Sequence, residues 1–331
     1  MTKKVYIIAE VGNNHEGDFD VAKKMIDKAA ETGVDAIKFQ TFKTEHFINP
    51  ENPERFNKLK SFELTYDQFT ALSEHTKKTG LDFISTPFDI DSVLFLKDIV
   101  SSFKIASSDV NLYPLIAEIA KSSVDIILST GTADMTLLKS TKKIIQDIWS
   151  SNSVSPHLTF LHCITSYPVL PEFANLNAIT AMQKELQIDI GYSDHTIGNV
   201  AATIATTLGA TVIEKHFTLD HNYSDFRDHQ LSCEPDEMKA LVKNVRETEK
   251  MLGEVNKEVS QCEHDIIPAV RRSIAAKNDL QTGYSIKEND LIWTRPSGGM
   301  EPGTENMILG KKLLKNIKQG EPFTLEHFSN S

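Results

Sequence analysis

Long apolar runs, a basic surplus and a cysteine framework are all missing from this 331-residue sequence. Nothing approaches the roughly 20 consecutive apolar residues of a membrane span. The N-terminal Met1-Thr2-Lys3-Lys4-Val5-Tyr6-Ile7-Ile8-Ala9-Glu10 carries basic residues but too short an apolar stretch for a secretory signal. Three cysteines, Cys163, Cys233 and Cys262, form neither a CxxC pair nor an even-numbered disulfide set. A cytoplasmic location is the natural expectation. The formal charge of -11 argues against a general nucleic-acid binder. It leaves room for an anionic small substrate, because a few lysines in a cleft can set the local potential against the global sign. No GxGxxG follows the first apolar run, which disfavours a dinucleotide fold.

What is present is a rhythm. With 40% hydrophobic and 24% charged residues, the chain has the balance of a globular enzyme. Short apolar runs predict strands at Val5–Val11, Asp35–Gln40, Asp82–Thr86, Ser102–Ala106, Asp125–Ser129, Leu158–His162, Ile188–Ser193 and Thr211–His216. Amphipathic stretches lie between them. Phe19, Ala22, Met25, Ile26, Ala29 and Ala30 share a helical face that Gly33 can end, and Tyr66–Thr79 stops before Gly80. Further helices are predicted over 90–99, 112–121, 134–149, 176–186, 197–208 and 235–252. This alternation predicts an α/β fold, a closed (β/α)8 TIM barrel over 1–255, rather than an open doubly wound sheet. After a linker over 256–270, residues 271–331 change character. Gly283 is flanked by Leu280, Ile286 and Leu291, and Gly320 by Ile317, Phe323 and Phe328 at the same offsets. Two such half-motifs predict a small pseudo-symmetric second domain.

Barrel active sites sit at the C-terminal ends of the strands. Polar side chains occur at all the predicted ends: Glu10; Lys38 and Gln40; Ser85 and Thr86; Lys104, Ser107 and Ser108; Ser129 and Thr130; His162 and Tyr167; Asp194 and His195; Glu214, Lys215 and His216. Lys38 and Lys104, with hydroxyls at Ser85, Thr86, Ser107 and Ser129, suit the phosphate and carboxylate oxygens of a small dianion. Either lysine could instead pair with a neighbouring acid. His195 and His216 end consecutive strands and could hold a divalent ion with open positions, or be satisfied structural histidines. Glu10 could act as a base or position water, or simply pair with Lys38.

The motifs Ile8-Ala9-Glu10-Val11-Gly12-Asn13-Asn14-His15-Glu16-Gly17, Ile37-Lys38-Phe39-Gln40, Phe83-Ile84-Ser85-Thr86-Pro87-Phe88, Phe103-Lys104-Ile105-Ala106-Ser107, Ile127-Leu128-Ser129-Thr130-Gly131, Gly191-Tyr192-Ser193-Asp194-His195-Thr196 and Glu214-Lys215-His216-Phe217 together resemble the sialic acid synthase family. The tail, with Arg271-Arg272-Ser273-Ile274 and Arg295-Pro296, resembles that family's antifreeze-like (SAF) domain. The resemblance implies a domain-swapped homodimer that condenses phosphoenolpyruvate with an N-acetylated aminosugar. N-acetylmannosamine would give N-acetylneuraminate and phosphate, and a 2,4-diacetamido sugar would give legionaminic or pseudaminic acid. It also implies metal ligation by His195 and His216, typically of manganese or magnesium. By the same resemblance, Lys38, Lys104, Ser107, Ser129 and Thr86 correspond to phosphoenolpyruvate-site positions, Glu10, Gln40, Tyr167 and Asp228 to positions near the sugar and reacting carbons, and Arg295 to an arginine that reaches the partner subunit's site. Three departures stand out: Phe226-Arg227 in place of a common Gly-Pro, Thr165 for asparagine and Asp109 for glutamate. A pyruvate-releasing lyase and a non-catalytic carbohydrate binder are the competing readings.

Overall fold

A computed structural model describes residues 4–226 and 228–328, so Arg227 lies outside the described residues. The chain divides after Glu254 into two compact units. In the first, eight parallel strands close into a barrel in sequence order. They are β1 (Tyr6–Gly12), β2 (Ala36–Thr41), β3 (Asp82–Pro87), β4 (Ser102–Ile105), β5 (Asp125–Ser129), β6 (Leu158–Cys163), β7 (Asp189–Asp194) and β8 (Val212–His216).

The period-2 geometry of strands sorts the side chains into two shells. Ile7, Ala9, Val11, Ile37, Phe39, Phe83 and Ile213 face outward and join the helices in the large core. Ile8, Ala36, Ile84, Ile127, Leu161 and Val212 form a separate inner cluster, an apolar floor inside the barrel. One step of the pleat above that floor come Glu10, Lys38, Thr86, Ser129, Cys163 and Glu214, and a further step above come Gln40 and His216. Strand register makes these neighbours: Glu10 lies opposite Lys38 and His216, and Gln40 opposite Thr86.

The surrounding helices start and stop for local reasons. Asp18 caps Phe19–Ala30 by accepting from the amides of Asp20 and Val21, and Ala22, Met25, Ile26 and Ala29 are its buried face. Thr65 and Gln68 form a capping box for Tyr66–Thr79, and Gly80 ends that helix at φ 84°. The predicted 197–208 helix is shorter, Val200–Thr207, and 134–149 extends as Met135–Ser151. The helices Thr44–Phe47, Pro53–Phe62 and Asp228–Leu231 were not anticipated. Their apolar spacing is too sparse to show a helical stripe, although Asn52 followed by Pro53 is a local start signal that the structure uses.

The second unit is built around β9 (Ser273–Ala276) and β10 (Leu291–Thr294), paired antiparallel. Its core contains Leu280, Ile286, Leu291, Ile317 and Phe323. The internal repeat is visible in its hydrogen bonds. Leu280 and Ile317 exchange amide-to-carbonyl bonds of 2.9 and 3.0 Å. Gly283 donates to Leu313 as Gly320 donates to Ala276, and both glycines have φ above 80°.

Candidate functional site

The inner residues above the barrel floor open into a cavity of about 630 Å³. Glu10, Lys38, Gln40, Thr86, Lys104, Ser107, Ser129, Tyr167, His195, His216 and Asp228 all line it. Arg295 is exposed in the second unit, just beyond β10. Ser85, also expected in the phosphate cradle, faces the other way: its hydroxyl lies 2.8 Å from Thr41 Oγ1 and donates to Phe39 O. The pleat accounts for this, because Ser85 and Thr86 are adjacent in β3 and must point to opposite faces. His162 likewise turns outward, bonding Ala174 O at 2.8 Å and stacking on Tyr192.

Four buried charges occupy the floor of the cavity. Lys38 Nζ lies 2.6 Å from Glu10 Oε2 and 3.6 Å from Glu214 Oε2. Lys104 Nζ lies 3.4 Å from Glu214 Oε1 and donates to Ser129 Oγ at 2.7 Å. Ser193 donates to the same Glu214 oxygen at 2.8 Å, and Gln40 Nε2 donates to Glu10 Oε1 at 3.4 Å. Burial tends to raise Glu214, but Lys104 and Lys38 overcome it and hold the carboxyl down at about 2. Burial raises Glu10 despite Lys38, with the charge of Glu214 adding to the shift. The two acids are therefore pushed apart: Glu214 is held as a counter-charge to both lysines, and Glu10 is the more readily protonated of the two. Burial also lowers Lys104 in spite of Glu214, whereas Glu10 and Glu214 outweigh burial at Lys38 and raise it.

Beside this cluster the rings of His195 and His216 have centroids 5.3 Å apart, and the Tyr167 ring lies against His195 with centroids 4.2 Å apart and planes tilted by 31°. The turn that presents His195 is locked from behind. Asp194 accepts from the amide and hydroxyl of Thr196 at 2.8 and 2.7 Å and pairs with Lys215 at 3.0 Å. His195 Nδ1 lies 2.8 Å from Ile164 O, which leaves Nε2 as its free ligating atom. His216 is buried, its Nδ1 has no hydrogen-bond partner, and burial with the charges of His195 and Lys38 lowers its pKa well below normal. A neutral imidazole with an unmet lone pair fits a metal ligand. His46, Asp89 and Asp91 could also hold an ion together, but none of them lines this cavity. Asp89 there caps the helix Ile90–Leu96, accepting from Ser92 N at 2.7 Å and Lys43 N at 2.8 Å, and His46 pairs with Asp91 at 3.4 Å.

Further residues complete the site. Gly131 leaves space for Ser107 and Thr165: a Cβ there would sit 2.1 Å from Thr165 Oγ1 and 2.8 Å from Ser107 Oγ. Asp109 follows Ser107 in a short 3-10 turn, and burial pushes its carboxyl up to about 6. Phe47, Arg55, Lys58, Leu59 and Phe62 line the outer part of the cavity and were not foreseen, nor were Cys163 and Ser193. The period-2 rule could have found Cys163 and Ser193, which follow inward positions of β6 and β7. No local signal marks the others as facing the site.

A parallel barrel with buried lysines, acids and histidines at its strand ends has the architecture of a barrel enzyme. The chain belongs to the NeuB family, the sialic acid synthase family, which matches residues 25–257, and it carries a SAF domain over residues 271–329. It is 42% identical over 315 residues to an uncharacterized protein of Methanocaldococcus jannaschii, covering 95% of this chain and 91% of that one. It is 37% identical over 336 residues to an N,N'-diacetyllegionaminic acid synthase of Legionella pneumophila, covering 97% and 94%. A solved N-acetylneuraminic acid synthetase of Leptospira borgpetersenii superposes with TM-score 0.75 at 37% identity, covering 80% of this chain and 91% of that one. Relatives at the same identity are thus named for different sugars, and overall similarity does not separate them. Among the described residues no helix is long and apolar enough to cross a membrane.

Proposed function

We propose that this protein is a transferase that condenses phosphoenolpyruvate with an open-chain N-acetylated aminosugar and water, releasing phosphate and a nonulosonic acid. N-acetylmannosamine, giving N-acetylneuraminate, and a 2,4-diacetamido relative, giving a legionaminic- or pseudaminic-type acid, share the aldehyde and the adjacent acetamido group. The observation that carries the reading is the buried lysine–acid cluster beside two histidines in one cavity. Lys38 and Lys104, with Thr86, Ser107 and Ser129, would hold the phosphate and carboxylate of phosphoenolpyruvate, taking over from the carboxylates that neutralise the lysines now. C3 of phosphoenolpyruvate attacks the aldehyde carbon, water adds at C2, and phosphate leaves by C–O cleavage. Glu10, whose carboxyl is raised by burial, would take the proton from that water. Gln40, Tyr167 and Asp228 would position the sugar, and Arg295 would reach the site of a domain-swapped partner subunit. Held by His195 and His216, manganese or magnesium would supply Lewis-acid polarisation of the aldehyde oxygen.

The test is phosphate release from phosphoenolpyruvate across a panel of N-acetylated sugars, with metal removed by chelation and then restored. Release that needs both a sugar and a divalent ion is expected. Pyruvate release from a nine-carbon acid, with a borohydride-trapped lysine, would overturn the reading in favour of a lyase.

A further inference from the structure

The cavity is not uniform along its depth. The buried lysine–acid cluster lies in its inner half, whereas its outer wall brings together Phe47, Leu59, Phe62 and Phe226, with Arg55, Lys58 and Asp225 beside them. Phe62 is the last residue of the helix Pro53–Phe62 after β2, and Phe226 lies in the segment after β8. Their rings meet edge to face, with centroids 5.4 Å apart at 80°. The Lys58 ammonium lies 5.2 Å from the Phe226 ring centre and 5.9 Å from that of Phe62, tying the two elements together. Phe62 is 6% exposed, and Phe226 is half-buried with a face left to the cavity.

The segment bearing Phe226 is also held from the inside. Fully buried His229 lies 3.1 Å from Glu16 Oε1 of the loop after β1, and its other ring nitrogen lies 2.7 Å from Thr218 Oγ1. The His229 amide donates to Phe226 O at 3.1 Å, and the Phe226 amide donates to Ser224 Oγ at 3.0 Å. Ser224 in turn donates to Glu16. These bonds tie Phe226 to the loop after β1 on its inner side, as Lys58 ties it to Phe62 on its outer side.

We propose that Phe62 and Phe226 form the specificity wall of the site. They recognise the end of the sugar remote from its aldehyde and favour sugars with methyl or acetamido groups there over sugars with hydroxyls. The proposal rests on the reaction proposed above. With the aldehyde drawn to the histidines and phosphoenolpyruvate held by the lysines, the rest of an open six-carbon chain runs outward along this wall. An aromatic surface gains by covering a methyl group, whereas a hydroxyl seated on the ring faces, away from Arg55, Lys58 and Asp225, loses water without finding a partner. Discrimination of about ten- to a hundredfold is the scale such a surface supplies.

The experiment measures phosphate release with saturating phosphoenolpyruvate and manganese, varying either N-acetylmannosamine or 2,4-diacetamido-2,4,6-trideoxymannose. Wild type is expected to favour the diacetamido sugar in kcat/KM by about tenfold or more. Phe226→Ala should lower that preference by about tenfold, through KM of the diacetamido sugar, and Phe226→Leu should restore much of it. A merely structural role would lower both sugars together and leave the ratio unchanged, which would overturn the proposal. So would a wild-type preference for N-acetylmannosamine. Loss of folding in Phe226→Ala, read by circular dichroism, leaves the decision to Phe226→Leu, whose smaller side chain should still weaken the preference. Phosphate release with an unaltered sugar ratio refutes the wall alone. No release with any sugar refutes the reaction, and the wall with it.

Discussion

Glu214→Gln replaces one buried carboxylate oxygen and changes almost nothing else in shape. The side chain is 4% exposed, bridges Lys38 and Lys104, and accepts from Ser193. Gln keeps an acceptor for Ser193 but removes the charge that both ammonium groups face. The fall of this carboxyl from its ordinary 4.5 to about 2 corresponds to about 3 kcal/mol of stability at neutral pH. Breaking a buried ion pair by removing one partner costs about 3–5 kcal/mol, which agrees. The sign is set by the depressed acid: its contribution is present above pH 4.5 and lost as pH falls from there toward 2. Urea unfolding of the barrel, followed by far-ultraviolet circular dichroism, should show Glu214→Gln less stable by about 3 kcal/mol at pH 7.5. The gap should hold between pH 6 and 8 and narrow below pH 4.5. Lys104, already lowered by burial, loses its main counter-charge, so KM for phosphoenolpyruvate should rise with pH more steeply than in wild type. A variant within about 0.5 kcal/mol of wild type at pH 7.5 would refute the electrostatic account of the cavity floor.

His15 is 1% exposed and lowered by burial from 6.5 to about 4, so the unfolded chain binds its proton first. Stability should therefore drop by about 2 kcal/mol on going from pH 7.5 to 5, and His15→Asn should lose less over that interval in urea titrations; an equal loss would sink the assignment. Gly131→Ala forces a Cβ against Thr165 and Ser107. It should cut kcat/KM for phosphoenolpyruvate about a hundredfold and lower stability by about 1–3 kcal/mol, and a wild-type KM would count against Ser107 as a substrate contact. If Arg295 acts in trans, mixed dimers of Arg295→Ala and His216→Ala should recover part of the activity that each parent lacks. Verified mixed dimers without recovery would remove the swapped arrangement.

The barrel was legible because its information is local. Each strand is a short apolar run, and the eight runs alternate with helical stripes, so order and closure follow from spacing alone. The polar strand ends were legible too, but only as pairs. Ser85 and Thr86, or Asp194 and His195, look equivalent as letters, and only the pleat decides which of two neighbours faces inward. Counting by twos from the apolar floor would have sorted them: Ile84 puts Thr86 inside and Ser85 outside, and Leu161 puts Cys163 inside and His162 outside. The repeat in the tail was readable for the same reason, since Gly283 and Gly320 each carry their own local spacing.

Only half of the outer wall was readable: Phe226 stood out as a departure from the family's common Gly-Pro, whereas nothing local marks Phe62 or the meeting of the two rings. Phe62 ends a weakly patterned helix and Phe226 sits in an irregular segment. Their meeting depends on Lys58, on His229, and on Glu16 from a third loop. The residues that the condensation needs sit on strands, whose geometry is repeated and rigid. The residues that would choose among sugars sit on segments placed by contacts distant in sequence. A chain of this kind can therefore keep its reaction chemistry plainly written while its substrate preference is set by three loops acting together. Glu16→Gln tests that coupling. It weakens the hold on His229 and Ser224 without touching the cavity lining, so it should blunt discrimination between the two sugars in the same direction as Phe226→Ala, by a smaller factor. If Glu16→Gln instead lowers kcat for both sugars equally, the loop is a general scaffold and the preference must arise elsewhere.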